Sequence, residues 1–323
     1  FLFAVPLMCS SVLQLLFNAA DVIVVGRFDG ETALAAVGST GSLINLIVNV
    51  FLGLSIGANV VIARYIGANR YRDVSVAVHT SIALSLVGGL LIGAFGFSLA
   101  GTFLRWMGSP DAVLPLATSY MRIYFIGMPV NMLYNFGAAV LRSIGDTRRP
   151  LYYLFIAGVV NVLLNLLFVI RFHMGVSGVA LATIISQLIS ATLVLICLIR
   201  TDNAIHVDLK KLHIDWNATK EIARIGLPAG FQGAFFSVSN VMIQSTVNSF
   251  GEIAVAGNST SANIEGFVYV AMNSIYQASI TFTSQNYGAR KYDRVVKVML
   301  CCLLAVTLIG LVTAGLALVI RKP

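Results

Sequence analysis

Apolar residues run along this chain in long stretches broken by short polar connections. They fall near 1–25, 33–63, 74–101, 113–141, 150–171, 177–199, 219–248, 252–283 and 295–320. Each is long enough to cross roughly 30 Å of hydrocarbon, which takes about 20 helical residues. A helix is the only open-ended form that satisfies its own backbone there. Nine transmembrane helices are therefore predicted, and the fold class is an all-α polytopic membrane protein. The second and eighth stretches are longer and more polar than a lipid-facing helix requires.

Composition agrees. Of 323 residues 58% are hydrophobic and 11% charged, against about 45–50% and about 25% in a soluble domain. The net charge of +8 does not imply a nucleic-acid partner, because the basic residues sit in short connections. Connections 64–73, 142–149, 200–224 and 290–297 carry 15 of the 21 Lys and Arg residues, whereas the alternate ones carry only Arg27, Arg105 and Arg171. The positive-inside rule then puts the first set, and the N-terminus, in the cytoplasm. Cys9, Cys197, Cys301 and Cys302 lie within apolar stretches without metal-ligand spacing, and read as buried apolar residues. With no basic segment or cleavage site before it, the first stretch reads as a span and not a signal peptide.

The chain repeats itself. Phe28-Asp-Gly-Glu-Thr-Ala-Leu-Ala-Ala-Val-Gly-Ser-Thr40 resembles Phe250-Gly-Glu-Ile-Ala-Val-Ala-Gly-Asn-Ser-Thr260, and Tyr65-Ile-Gly-Ala-Asn-Arg-Tyr71 resembles Asn286-Tyr-Gly-Ala-Arg-Lys-Tyr292. Pro6 is matched by Pro228. The offset of about 221 residues encloses an even number of spans, so the copies are parallel, an arrangement found in transporters with a site between the halves. The expected domains are a six-helix lobe over 1–199, a cytoplasmic linker over 200–218, and the first three helices of a second lobe over 219–323. A complete second copy would hold three more, so the chain reads as a fragment of a twelve-span protein.

Candidate chemistry lies in the polar residues at depth. Asp21 ends the segment Gln14-Leu-Leu-Phe-Asn-Ala-Ala-Asp21 inside the first stretch. A carboxylate at the bilayer centre costs about 3 kcal/mol on insertion scales, so it marks a functional site by default. Pro6 and Pro228 are expected to bend their helices. Asn161 and Asn165, four apart, share one helix face, and Thr183 and Gln187 repeat the spacing on the next span. Asp21, Asn161, Asn165 and Thr183 together would ring a small cavity with oxygens, suiting Na⁺ by extension from hard divalent ions. The carboxylate, partly out of water, can instead hold a proton. The alternatives are that Asp21 reaches the surface beside Arg27, and that the amides are interhelical glue worth about 0.6 kcal/mol per contact.

Glu265 lies halfway along the eighth stretch, near Asn263, Asn273 and Gln277, and the seventh adds Gln232, Asn240 and Gln244. These suit a cavity that binds a cationic substrate, or a hydrogen bond between spans. Phe235, Phe236, Met242 and Tyr269 would make an adaptable apolar wall for drug-like cations, or serve as packing. Gly53-x-x-x-Gly57 and Gly89-x-x-x-Gly93 are close-packing motifs. His79 reads as a satisfied interfacial histidine, Arg122 as a residue that snorkels or pairs with an acid, and His206 and His213 as solvated linker residues. No His-Asp or Cys-His pair is visible at depth, so an enzyme is not expected.

From Met128-Pro129 through Leu141-Arg-Ser-Ile-Gly-Asp-Thr-Arg-Arg-Pro150, the chain resembles the multidrug and toxic compound extrusion (MATE) family. The likeness continues through Asn161-Val-Leu-Leu-Asn165, Met174-Gly-Val-Ser-Gly-Val-Ala-Leu-Ala-Thr-Ile-Ile-Ser-Gln187, Ile264-Glu-Gly-Phe267 and Gln285-Asn-Tyr-Gly-Ala289. The resemblance implies two six-helix lobes around a cleft that opens alternately to each side. It also implies export of small amphipathic, often cationic compounds in exchange for Na⁺ or H⁺. Asp21, Asn161 and Asn165 match the family's amino-terminal-lobe cation site, Thr183 a hydroxyl of that site, and Pro6 a helix-bending proline. Many relatives carry Asp where this chain has Asn165, and some carry a seventh-span acid absent here. The expected protein is a monomeric antiporter of the bacterial cytoplasmic membrane. It would need no cofactor beyond the coupling ion, with a lipid-linked oligosaccharide flippase as the alternative.

Overall fold

The computed structural model describes residues 2–108, 110–248, 250 and 252–320. All the regular structure among them is helical. The helices are α1 (Ala4–Phe28), α2 (Glu31–Gly67), α3 (Tyr71–Trp106), α4 (Leu114–Ile126), α5 (Met128–Ser143), α6 (Arg148–Leu166, then a π-turn to Arg171), α7 (Gly175–Arg200), α8 (Trp216–Asn248), α9 (Glu252–Gly288) and α10 (Tyr292–Ile320). Taking α4 and α5 as one broken span recovers the nine predicted. The break is a 49° bend. Gly127 lies between the two helices against Ile184, and Pro129 has no N–H for the preceding turn. Six helices among the described residues are long and apolar enough to cross a membrane, and the bent pair makes a seventh. The other two, α8 and α9, are the least apolar of the set.

The Gly-Asp-Thr connection shows its physics plainly. Gly145 takes the left-handed φ of 94° that ends α5. Asp146 Oδ1 then accepts from the Arg148 and Arg149 N–H groups at 3.1 Å, capping α6. Thr147 donates to the Phe3 carbonyl at 3.2 Å, which holds the start of α1 at this end. At the same end, the linker after α7 is pinned to α3. His79 Nδ1 meets the Ser75 carbonyl at 2.8 Å, and its Nε2 accepts the Asp208 N–H at 3.0 Å, so a neutral ring satisfies both. The His79 expectation is met. Asp215 caps α8 through the Ala218 N–H at 2.8 Å.

All four basic connections therefore lie at one end of the bundle, and there the two copies are joined. Gly53 and Gly57 of α2 face Gly226 and Gly230 of α8 so closely that a Cβ on any of them would strike the opposite backbone. Gly233 and Ser237 continue that stripe of α8, with the Ser237 hydroxyl accepting from Asn49 at 3.1 Å. Gly67 packs on the backbone of Gln285, and Gly288 on that of Arg64. The second contact is the first with each residue moved by 221 positions, as a two-fold relation between the copies requires. Glu221 receives Arg64 and the Tyr65 hydroxyl, while Asn59 and Thr281 meet at 3.2 Å. Arg142 reaches Gln277 at 3.0 Å.

Toward the opposite end the lobes part, and a Cβ at Gly38, Gly41 or Gly266 would meet nothing within 4 Å. One expectation changes here: none of the four cysteines is buried, Cys9 and Cys301 being exposed and Cys197 and Cys302 half-buried against the apolar clusters. Pro6 falls in the first described turn of α1. Pro228, by contrast, lies inside α8, within the glycine stripe.

Replacing Gly53 or Gly226 by Val should cost roughly 2 kcal/mol or more, because only backbone stands where the side chain must go. Gly41→Val should be close to neutral. Melting of the detergent-purified full-length protein checks this; equal losses at all three positions would refute the close approach.

Candidate functional site

The site is assembled by one glycine. The Phe17 ring occupies the space that a Cβ on Gly158 would fill, which presses α1 onto α6. Asp21 is one turn beyond Phe17, and Asn161 and Asn165 are one and two turns beyond Gly158. The packing therefore brings the carboxylate to the two amides. Asp21, Asn161 and Asn165 are 9%, 5% and 0% exposed. The alternative in which Asp21 reaches the surface beside Arg27 is not the one adopted.

Asn165 Nδ2 donates to Asp21 Oδ1 and to Asn161 Oδ1, the latter at 3.2 Å. Asn161 Nδ2 donates in turn to Thr183 Oγ1 at 3.5 Å, and the Thr183 hydroxyl gives its proton to the Val179 carbonyl at 2.9 Å. Thr183 also lies beside the Asp21 carboxylate. One acceptor is left over, since Asn165 Oδ1 is buried with no hydrogen-bond partner. The helix that supplies both amides passes directly into the π-turn Leu167–Arg171, an irregularity that often accompanies functional sites.

Magnitudes indicate what this arrangement does. One hydrogen bond to a charged group returns about 1.5–3 kcal/mol. A carboxylate at depth costs about 3 kcal/mol on insertion scales, and the unpaired amide oxygen adds roughly 1–3 kcal/mol. The neutral partners Asn165 and Thr183 offset part or all of that cost for the carboxylate and leave Asn165 Oδ1 unpaired. Among the described residues no group of three or more His, Cys, Asp or Glu gathers, so a multi-acid metal site is not built.

The second set of candidates is not joined to the first. Glu265 and Gln232 are exposed, as are Phe235 (70%), Met242 (66%) and Tyr269 (52%). Glu265 is thus not a buried acid in this chain, because α9 turns that face away from its described neighbours. Phe236 and Tyr269 stack at 5.8 Å between α8 and α9. The side chains of Asn263 and Gln244 lie outside the described residues. Sequence reasoning missed Tyr120, a buried phenol on α4 within electrostatic reach of Asp21, and nothing in its spacing marks it. It also missed Phe17 and Gly158, which only their contact reveals.

The MatE family model matches residues 6–167 and 228–323. The chain is 29% identical over 305 residues to the probable multidrug resistance protein YoeA of Bacillus subtilis, covering 92% of this chain and 66% of that protein. It thus spans about two thirds of the length of the curated relatives it matches. A MOP superfamily transporter from Pyrococcus furiosus superposes with a TM-score of 0.92 at 25% identity, over 99% of this chain and 71% of that one. A MATE family multidrug resistance transporter solved in an outward-facing conformation gives 0.90 at 25% identity, over 98% and 70%.

Asn165→Asp should increase cation binding at Asp21. In the full-length protein the rise in melting temperature on replacing choline by Na⁺ should grow roughly twofold or more. An unchanged Na⁺ effect would place cation binding elsewhere.

Proposed function

The chain belongs to the MatE family, and from that premise we propose that it forms most of a secondary antiporter. On this reading the whole protein exports amphipathic, often cationic drugs or metabolites, driven by Na⁺ or H⁺ entering at Asp21. The observation that carries the proposal is the reach of α1. Near one end it holds Asp21 against Asn165. At the other, Phe3, Ala4 and Leu7 pack on Ile275 and Ala278 of α9, and the Phe3 and Phe282 rings meet at 5.0 Å. The same rigid helix touches the ion site and the second lobe.

The cycle follows from charge. An ion at Asp21 removes the reason for the carboxylate to hold Asn165 Nδ2, and it engages the unpaired Asn165 Oδ1. A shift of α1 along α6 is then transmitted to α9, where the lobes are joined. On this reading the basic end, cytoplasmic by the positive-inside rule, is where the lobes are joined, and the outer end is where they part. This bias toward one side is what alternating access requires. The stacked Phe236 and Tyr269, with Glu265, Gln232, Phe235 and Met242, offer an aromatic and weakly acidic wall for an organic cation. The drug-resistance description of the Bacillus relative weighs for drug export over an oligosaccharide flippase.

The test is ethidium efflux from vesicles carrying the full-length protein, under separately imposed Na⁺ and pH gradients. Asp21→Asn should reduce gradient-driven efflux to that of protein-free vesicles, and undiminished efflux would remove the relay. Glu265→Gln should weaken apparent ethidium affinity by roughly two- to fivefold, the worth of one exposed ion pair. Unaltered affinity would take Glu265 out of the substrate wall.

A further inference from the structure

The crowd of cations at the basic end is explained by topology, but the cations at the other end are not. Arg105, near the end of α3, and Arg122, on α4, converge there on one groove of about 480 Å³. Its walls are apolar, with Phe97, Leu114, Ile123 and Ile126 prominent, and Thr118 adds a hydroxyl. The Arg122 guanidinium stacks over Phe97 at 5.4 Å. No Asp or Glu lines the groove, and no ion pair to either arginine occurs among the described residues.

Arg122 lies eight residues, about 12 Å along the helix, from the start of α4. A cation within a spanning segment needs a counter-charge or a path to water. Arg122 is exposed on the groove, and the described residues supply no counter-charge. We propose that the α3–α4 groove is a binding site for an anionic glycerophospholipid of the leaflet at that end. Its phosphodiester lies between Arg105 and Arg122, and one acyl chain lies along Phe97, Ile123 and Ile126. The groove matches an amphipathic anion on both counts, cations at the head and apolar walls at the tail. A zwitterionic lipid brings its own ammonium to the same place and fits less well.

The site also bears on the ion pocket. The same short helix holds Tyr120 toward Asp21, and its Ser119 meets Ser177 of α7 at 3.2 Å. A lipid in the groove thus braces α4 from outside the ion site.

Trp106, 78% exposed and next to Arg105, is a built-in reporter. The test uses the full-length protein with its other tryptophans replaced by Phe, in nanodiscs containing brominated phosphatidylglycerol or brominated phosphatidylcholine at equal mole fraction. Trp106 fluorescence should be quenched preferentially by phosphatidylglycerol. Arg105→Gln and Arg122→Gln should each lower that preference roughly fivefold, the share of one basic residue in anionic-lipid binding. Arg122→Lys, which keeps the charge, should retain most of it, and so separates lost binding from lost folding. Equal quenching by the two lipids, or a preference unchanged in the double Gln variant, would overturn the site.

Discussion

Where α2 crosses α8, the Gly226 carbonyl stands in the space of a side chain at Gly53, and the Val50 carbonyl in that of one at Gly230. Lipid tails are as apolar as leucine, so burial of apolar surface gives two helices little reason to associate in a membrane. Close backbone approach, with its dispersion and weak Cα–H···O contacts, supplies the reason instead. Only glycine permits it. The stripe runs through Gly226, Gly230, Gly233 and Ser237 and then ends. The polar bonds between the lobes lie along the same half, and beyond them the lobes separate. One geometric constraint on a few glycines thus decides where α2 and α8 meet most closely.

The ion site obeys a similar rule on a smaller scale. Gly158 admits Phe17, and the rest of the pocket follows from helical periodicity. The pocket differs from the seam in the sign of the charge it buries. The seam pairs Arg64 with Glu221 and Asn59 with Thr281 and leaves the buried Arg142 Nε without a partner, whereas the pocket holds Asp21 among neutral partners with Asn165 Oδ1 unpaired.

Much of this was legible beforehand. The apolar stretches mark the spans because the bilayer fixes their length, and the spacing of Asn161 and Asn165 puts them on one face because a helix leaves no other choice. The 221-residue repeat foretold two related lobes, and Gly53-x-x-x-Gly57 foretold a close crossing without naming its partner. Gly226-x-x-x-Gly230 has the same spacing and was open to the same reading. Glu265 and the cysteines misled for one reason: an apolar stretch says that a residue is at depth, not which way its side chain points.

Sequence by itself determined the membrane class, the helices, the clustering of positive charge at one end, and the presence of a carboxylate that oil would reject without a purpose. Those properties depend on composition and on distances along the chain, which solvent and backbone geometry read directly. Tertiary structure alone decided that Asp21 meets Asn165, that Arg105 and Arg122 share a groove, and that the lobes are joined at the basic end. Such pairings depend on how closely two surfaces approach across a hundred or more residues. That distance is set by the few places where a missing side chain lets one backbone touch another.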